Sequence, residues 1–157
     1  MRGLRIVLVV VALVAAVPGS SCGSSQSSAS GSSPKPANGK ITVQSTETLS
    51  ARDVTNGGVA GTGHFTSSGA VADKGAVTDH RTVKGNKVLI RRVAVGTNGT
   101  ITFLITLYTT AAPTTLGHWT ITSATNSYKG LHGNGAQTVD NYNNTPATFV
   151  LAGTVSQ

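Results

Sequence analysis

Between Ile41 and Gln157 apolar and polar side chains alternate with a period of two, the signature of strands that keep one face against a core. Ile101, Phe103, Ile105 and Leu107 fall on one face, with Thr102, Thr106 and Tyr108 on the other. Trp119 and Ile121 alternate with His118, Thr120 and Thr122. Ala147, Phe149, Leu151 and Val155 alternate with Thr148, Val150 and Thr154. Earlier strands are expected over residues 41–49, 61–71, 75–83 and 87–95. Turn signals punctuate them at Asn56-Gly57-Gly58, Lys84-Gly85-Asn86 and Thr97-Asn98-Gly99. The last reads as a two-residue Asn-Gly hairpin turn with positive φ at both central residues. No helical period survives, so the expected fold is all-β, with seven or eight short-looped antiparallel strands. A sheet of that length with no helix to cover it must close or stack. The seven aromatic residues (one Trp, three Tyr, three Phe) leave the core to Val, Ile, Leu and Ala. That favours a narrow barrel of about eight strands over the alternative, a β-sandwich.

The first forty residues follow a different logic. Arg2 and Arg5 precede an unbroken apolar run from Ile6 to Val17, which Pro18 ends. Twelve residues are too few for a membrane-crossing helix, which needs about 20, but they suit the apolar region of a secretory signal. Gly19-Ser20-Ser21-Cys22-Gly23 follows, and Cys22 is the sole cysteine. Residues 23–38, GSSQSSASGSSPKPAN, contain seven serines and no large apolar side chain. Such a stretch cannot bury enough surface to offset its ordering entropy and reads as a flexible tether. The expected organisation is a signal peptide over 1–21, a modified cysteine and disordered linker over 22–39, and the β-barrel domain over 40–157.

The formal charge is +7, and removing Arg2 and Arg5 with the leader leaves +5. Arg81, Lys84, Lys87, Arg91 and Arg92 lie close together in sequence. No aromatic residues interleave them, as a nucleic-acid or glycan platform would require, and export removes the protein from nucleic acid. A solvated basic face is the favoured reading, with anionic headgroups or envelope polymers as the functional one. Asp79 and Arg81 share a strand face, whereas Arg91 and Arg92 cannot both point outward on a regular strand. An inward arginine would meet Asp79 or Glu47. Glu47, Asp79, Arg81 and Arg91 are therefore the candidate polar residues of the barrel interior, although a surface cross-strand ion pair is the favoured reading, exposed pairs being common. His64, His80, His118 and His132 lack metal-ligand spacing. No nucleophile elbow or phosphate loop is present, and nothing implies a catalytic residue, a metal or a cofactor.

Two motifs resemble known families. Gly19-Ser20-Ser21-Cys22 resembles the lipobox of bacterial lipoproteins, with Gly19 where Leu, Val or Ala is usual. The resemblance implies lipidation of Cys22 and residence at the cell membrane, facing away from the cytoplasm. The stretch GHWTITSATNSYKGLHGNGAQ from Gly117, with Gly63-His64-Phe65 through Asp73-Lys74-Gly75 upstream, is similar to small exported barrels of the allene oxide cyclase-like or dirigent-like kind. It departs from their pattern at Ala124 and Asn126, where glycines are usual. Trp119, Tyr128, Gly130, Gly133 and Gly135 are the motif residues: Trp119 to fill or seal a barrel end, Tyr128 to pack across the loop with its hydroxyl near solvent, and the glycines to permit a tight turn and close backbone approach.

The leading expectation is a membrane-anchored, non-enzymatic barrel that binds a small apolar ligand or a cell-envelope partner. The alternatives are an enzyme of allene oxide cyclase or dirigent type, which orients or cyclises a reactive apolar intermediate, and a structural envelope protein. Nothing in the sequence sets the oligomeric state.

Overall fold

The computed structural model describes residues 36–50, 56–108, 117–140 and 145–157. The expected signal peptide, Cys22 and most of the expected tether lie outside the described residues. Eight strands follow one another in sequence: β1 (Gly39–Leu49), β2 (Asn56–Gly69), β3 (Asp73–Lys84), β4 (Lys87–Gly96), β5 (Thr100–Tyr108), β6 (Gly117–Ala124), β7 (His132–Asp140) and β8 (Ala147–Ser156). Each pairs antiparallel with the next, and β8 returns to pair with β1, so the sheet closes into a barrel. Closure satisfies the backbone donors and acceptors that an open edge would expose. The protein is thus an all-β, eight-stranded antiparallel barrel, and the sandwich is excluded.

The period-two pattern sorts the side chains as alternation requires. Along β1, Ile41, Val43, Ser45 and Glu47 are buried while Thr42, Gln44, Thr46 and Thr48 are exposed. Ile41, Val43, Val77, Phe103, Ile105 and Leu151 are each at most 2% exposed and form the inner core. Trp119 stands among them at 1% exposure, edge-on to Phe103 with ring centroids 5.5 Å apart. Its indole N–H donates to the Ala136 carbonyl at 3.1 Å. Room for that ring comes from β7 and β8. A Cβ on Gly135 or Gly153 would lie 2.7 or 2.6 Å from the Trp119 Cζ2 atom, too close for any side chain.

Three local expectations change. Asn56, Gly57 and Gly58 are not a turn but the start of β2, where two register shifts between Asn56 and Gly61 absorb the extra residues against β3. The connection over Thr97–Gly99 is not a turn with two positive-φ residues. Gly99 has φ +156° and Asn98 is not left-handed; the Gly96 N–H donates to the Gly99 carbonyl across the loop. The glycine-rich stretch after Leu131 is a strand, β7, instead of a loop.

Candidate functional site

The barrel has two unlike ends. At one, the β2–β3 and β4–β5 connections meet a single 3-10 turn, Asn126–Tyr128, between β6 and β7. Asp73 organises this end. Its carboxylate accepts from the backbone N–H groups of Lys74, Thr97 and Asn98 at 2.8, 3.0 and 3.1 Å and from the Tyr128 hydroxyl at 2.8 Å. Burial alone would raise the Asp73 pKa, but these donors outweigh it and hold the carboxyl below its ordinary value. Tyr128 is 7% exposed and, with Val71 and Leu131, plugs the barrel. Its hydroxyl is therefore tied to Asp73 across the fold. Burial and the neighbouring Asp73 carboxylate push its pKa up to about 12. Asp73 and Tyr128, far apart in sequence, thus meet at this end.

The other half of the interior is polar at its centre. Asp79 on β3 stands directly opposite Arg92 on β4. The guanidinium grips that carboxylate with two bonds, Nε to Oδ1 at 2.8 Å and Nη2 to Oδ2 at 2.7 Å. The same Nη2 lies 2.7 Å from Glu47 Oε1, to which the Ser45 hydroxyl donates at 2.6 Å. Phe149 lies against the group, its ring centroid 4.9 Å from the guanidinium carbon. Glu47 and Arg92 are wholly buried and Asp79 is 3% exposed. Gly61 leaves space for the acid, since a Cβ there would come 3.0 Å from Glu47 Oε2.

The electrostatics follow from burial. Removal from water raises the Glu47 pKa; Arg92 pulls it down, the Asp79 charge pushes it up again, and the result is a carboxyl at about 7. Arg92 is opposed by burial too, yet the bonds and charge of Asp79, then Glu47, keep its pKa above the ordinary arginine value. Several polar atoms here are buried with no hydrogen-bond partner: Glu47 Oε2, Arg92 Nη1 and both amide atoms of Gln137 on β7.

Of the interior candidates, Glu47 and Asp79 come together at one guanidinium. That guanidinium is not Arg91, which is exposed on the outer wall, but Arg92. The register decides it: Arg92 is in step with buried Val88 and Ala94 on β4, and Arg91 is one residue out of phase. The favoured surface ion pair is likewise replaced by a buried one. Arg81 is half-buried on the same face of β3 as Asp79. Of the motif residues, Trp119 meets Gly135, Gly133 faces Val155 across β7–β8, and Gly130 turns the chain at φ +84°. Asn126 takes the left-handed conformation at φ +54°. Ser45 and Gln137 are polar residues that the sequence did not single out; Arg92 was one of two possible inward arginines, and Asp73 stood only within a motif. Parity with Val88 and Ala94 was the available signal for Arg92, and parity with Gly133 and Gly135 for Gln137.

Towards this end the inward-facing Leu49, Val83, Ile90, Leu107 and Val139 are half-buried instead of buried. Residues 51–55, 109–116 and 141–144 lie outside the described residues. On the outer wall a shallow depression of about 190 Å³ is lined by His80, Lys84, Leu89, Arg91 and Leu104, among others. Among the described residues, no group of three or more His, Cys, Asp or Glu is placed to hold a metal ion, and no helix is long and apolar enough to cross a membrane. Comparison of the chain with protein-family models, with curated proteins and with solved structures finds no match.

Proposed function

We propose that this protein is an exported lipoprotein, held to the membrane through acyl chains on Cys22, whose barrel takes up a small, mainly apolar ligand. The observation that carries the ligand reading is the interior opposite the Tyr128 plug. Hydrogen-bonding atoms of Arg92 and Gln137 are buried there without partners, and inward-facing Leu49, Ile90, Leu107 and Val139 towards that end are only half-buried. Burying polar groups without partners costs stability, on the order of 1–3 kcal/mol each. Such groups persist where they serve recognition or chemistry. Lipidation rests on the lipobox-like residues before Cys22: each buried methylene contributes about 0.8 kcal/mol, and two or more acyl chains anchor stably where one does not.

A neutral fluorescent naphthylamine dye tests the ligand reading. The protein in lipid nanodiscs is expected to bind one dye per barrel above the empty-disc background, and Leu107→Trp, which sets a bulky ring at an inward-facing, half-buried position, is expected to abolish the uptake. Equal uptake by both proteins would refute the reading. Metabolic labelling with an alkynyl fatty acid, lost in Cys22→Ala, tests the anchor.

A second reading has its own support. A carboxyl with a pKa of about 7 beside a guanidinium is suited to general acid–base work near neutrality. On this reading the barrel is an enzyme of the allene oxide cyclase or dirigent kind, with Glu47 moving the proton and Arg92 steadying developing negative charge. Turnover abolished in Glu47→Gln, with dye uptake retained, would favour it.

A further inference from the structure

Gln137 is the interior polar side chain that the acid–arginine cluster does not engage. It is 0% exposed, and neither Oε1 nor Nε2 has a hydrogen-bond partner. It projects from β7 between its register partners Gly117 on β6 and Leu151 on β8. Beside it, the site of its partner Gly117 is closed by apolar side chains: a Cβ there would lie 3.5 Å from the Gln137 Cβ, 2.7 Å from Leu107 and 3.1 Å from Ile105. A leucine or methionine would fill the same place without stranding a donor and an acceptor. A carboxamide presents both side by side, so its full complement is a group that offers an acceptor next to a donor.

The charges of this half narrow the ligand further. Among the described residues, the inward face here carries Glu47 and Asp79 against Arg92 and the half-buried Arg81. Arg92 bonds both Asp79 and Glu47, and Gln137, which the cluster does not engage, is neutral and offers an ion no counter-charge. We propose that Gln137 reads the head of the ligand, and that this head is uncharged with an adjacent acceptor and donor, as in a carboxamide or lactam, on an apolar body lying against Leu107 and Val139. This rests on the ligand reading above and adds the chemistry of the head and the residue that selects it.

Trp119 is the only tryptophan. It lies two residues along β6 from Gly117, the register partner of Gln137, so its fluorescence reports on this part of the interior. The test titrates the full chain in lipid nanodiscs, empty discs subtracted, with hexanamide, hexanol and hexanoate. Hexanamide is expected to shift Trp119 emission at about tenfold lower concentration than either of the others, since a site built to hydrogen-bond a group rejects analogues lacking it. In Gln137→Leu the advantage of hexanamide is expected to vanish while the melting temperature stays level or rises. Gln137→Met, closest in shape, gives the same comparison if the leucine variant does not fold. Three equally bound probes, unchanged by either variant, would overturn the head-group assignment and leave the apolar-ligand reading standing. A fall in melting temperature in both variants, with hexanamide preference intact, would overturn it too by showing a structural role. Failure of all three probes where the naphthylamine dye still binds also overturns it. Failure of the dye itself is failure of the parent reading.

Discussion

Arg92 answers two carboxylates with one guanidinium, inside a barrel where water does not screen them. Removing a single member of such a group strands the others. Arg92→Leu is expected to destabilise the barrel by about 3–5 kcal/mol, measured by urea unfolding, whereas Arg91→Leu on the outer wall is expected to change it by less than about 0.5 kcal/mol. Glu47 gives the interior a pH dependence of definite sign. Its pKa is about 7 in the fold against an ordinary 4.5. The folded state therefore holds more protons than the unfolded chain between those values, and stability falls as pH rises through that window, by on the order of a few kcal/mol, then levels. Asp73 acts oppositely. Its pKa is depressed below 3.8, so its contribution is present above that pH and lost as pH falls below it. Thermal melts against pH are expected to peak between about pH 4 and 5. Glu47→Gln should flatten the neutral limb and Asp73→Asn the acid limb; a neutral limb unchanged in Glu47→Gln would refute the assignment.

Elements were legible in proportion to how cleanly they alternate. β1 and β5 stand where their periodicity put them, because one apolar face meets the core and the other is threonine-rich; β4 stands where its flanking turns put it, its outer face being Lys87, Leu89, Arg91, Val93 and Val95. β7 was hidden. Its inward positions Gly133 and Gly135 carry no side chain, since the Trp119 ring and the backbone of β8 occupy the space, so alternation leaves no apolar trace. The 97–99 connection was misread for a related reason: a carboxylate from residue 73 holds its N–H groups, and no local rule encodes a partner so distant in sequence. The same non-locality concealed the site. Glu47 and Asp79 could be proposed as interior acids, but choosing Arg92 over Arg91 needed the register of β4. Two predictions belong to this scale. Gly135→Ala drives a methyl group into Trp119 and is expected to cost about 1–3 kcal/mol or more, with altered Trp119 fluorescence. Tyr128→Phe removes one bond to a charged acceptor and is expected to cost about 1.5–3 kcal/mol. It should also speed amide exchange at Thr97 and Asn98, whose N–H groups share that acceptor.

At the scale of the whole molecule, a sheet closed on itself supplies a rigid wall. One end is plugged by Tyr128 and tied through Asp73, and polar chemistry is sunk in the other half. Two of the five acidic residues of the chain, Glu47 and Asp79, are withdrawn into the interior with a single arginine. The outer surface is correspondingly more basic than the net charge suggests, as Lys84, Lys87 and Arg91 on β3 and β4 illustrate. The central claim, a lipid-anchored barrel that carries a small guest, meets its most direct test in a comparison of native and denaturing mass spectra of the protein taken from its host membrane. The account predicts a chain beginning at Cys22 and heavier than its sequence by acyl groups, with an additional small mass in the native spectrum that disappears on denaturation. A bare thiol at Cys22 and identical native and denatured masses would contradict it.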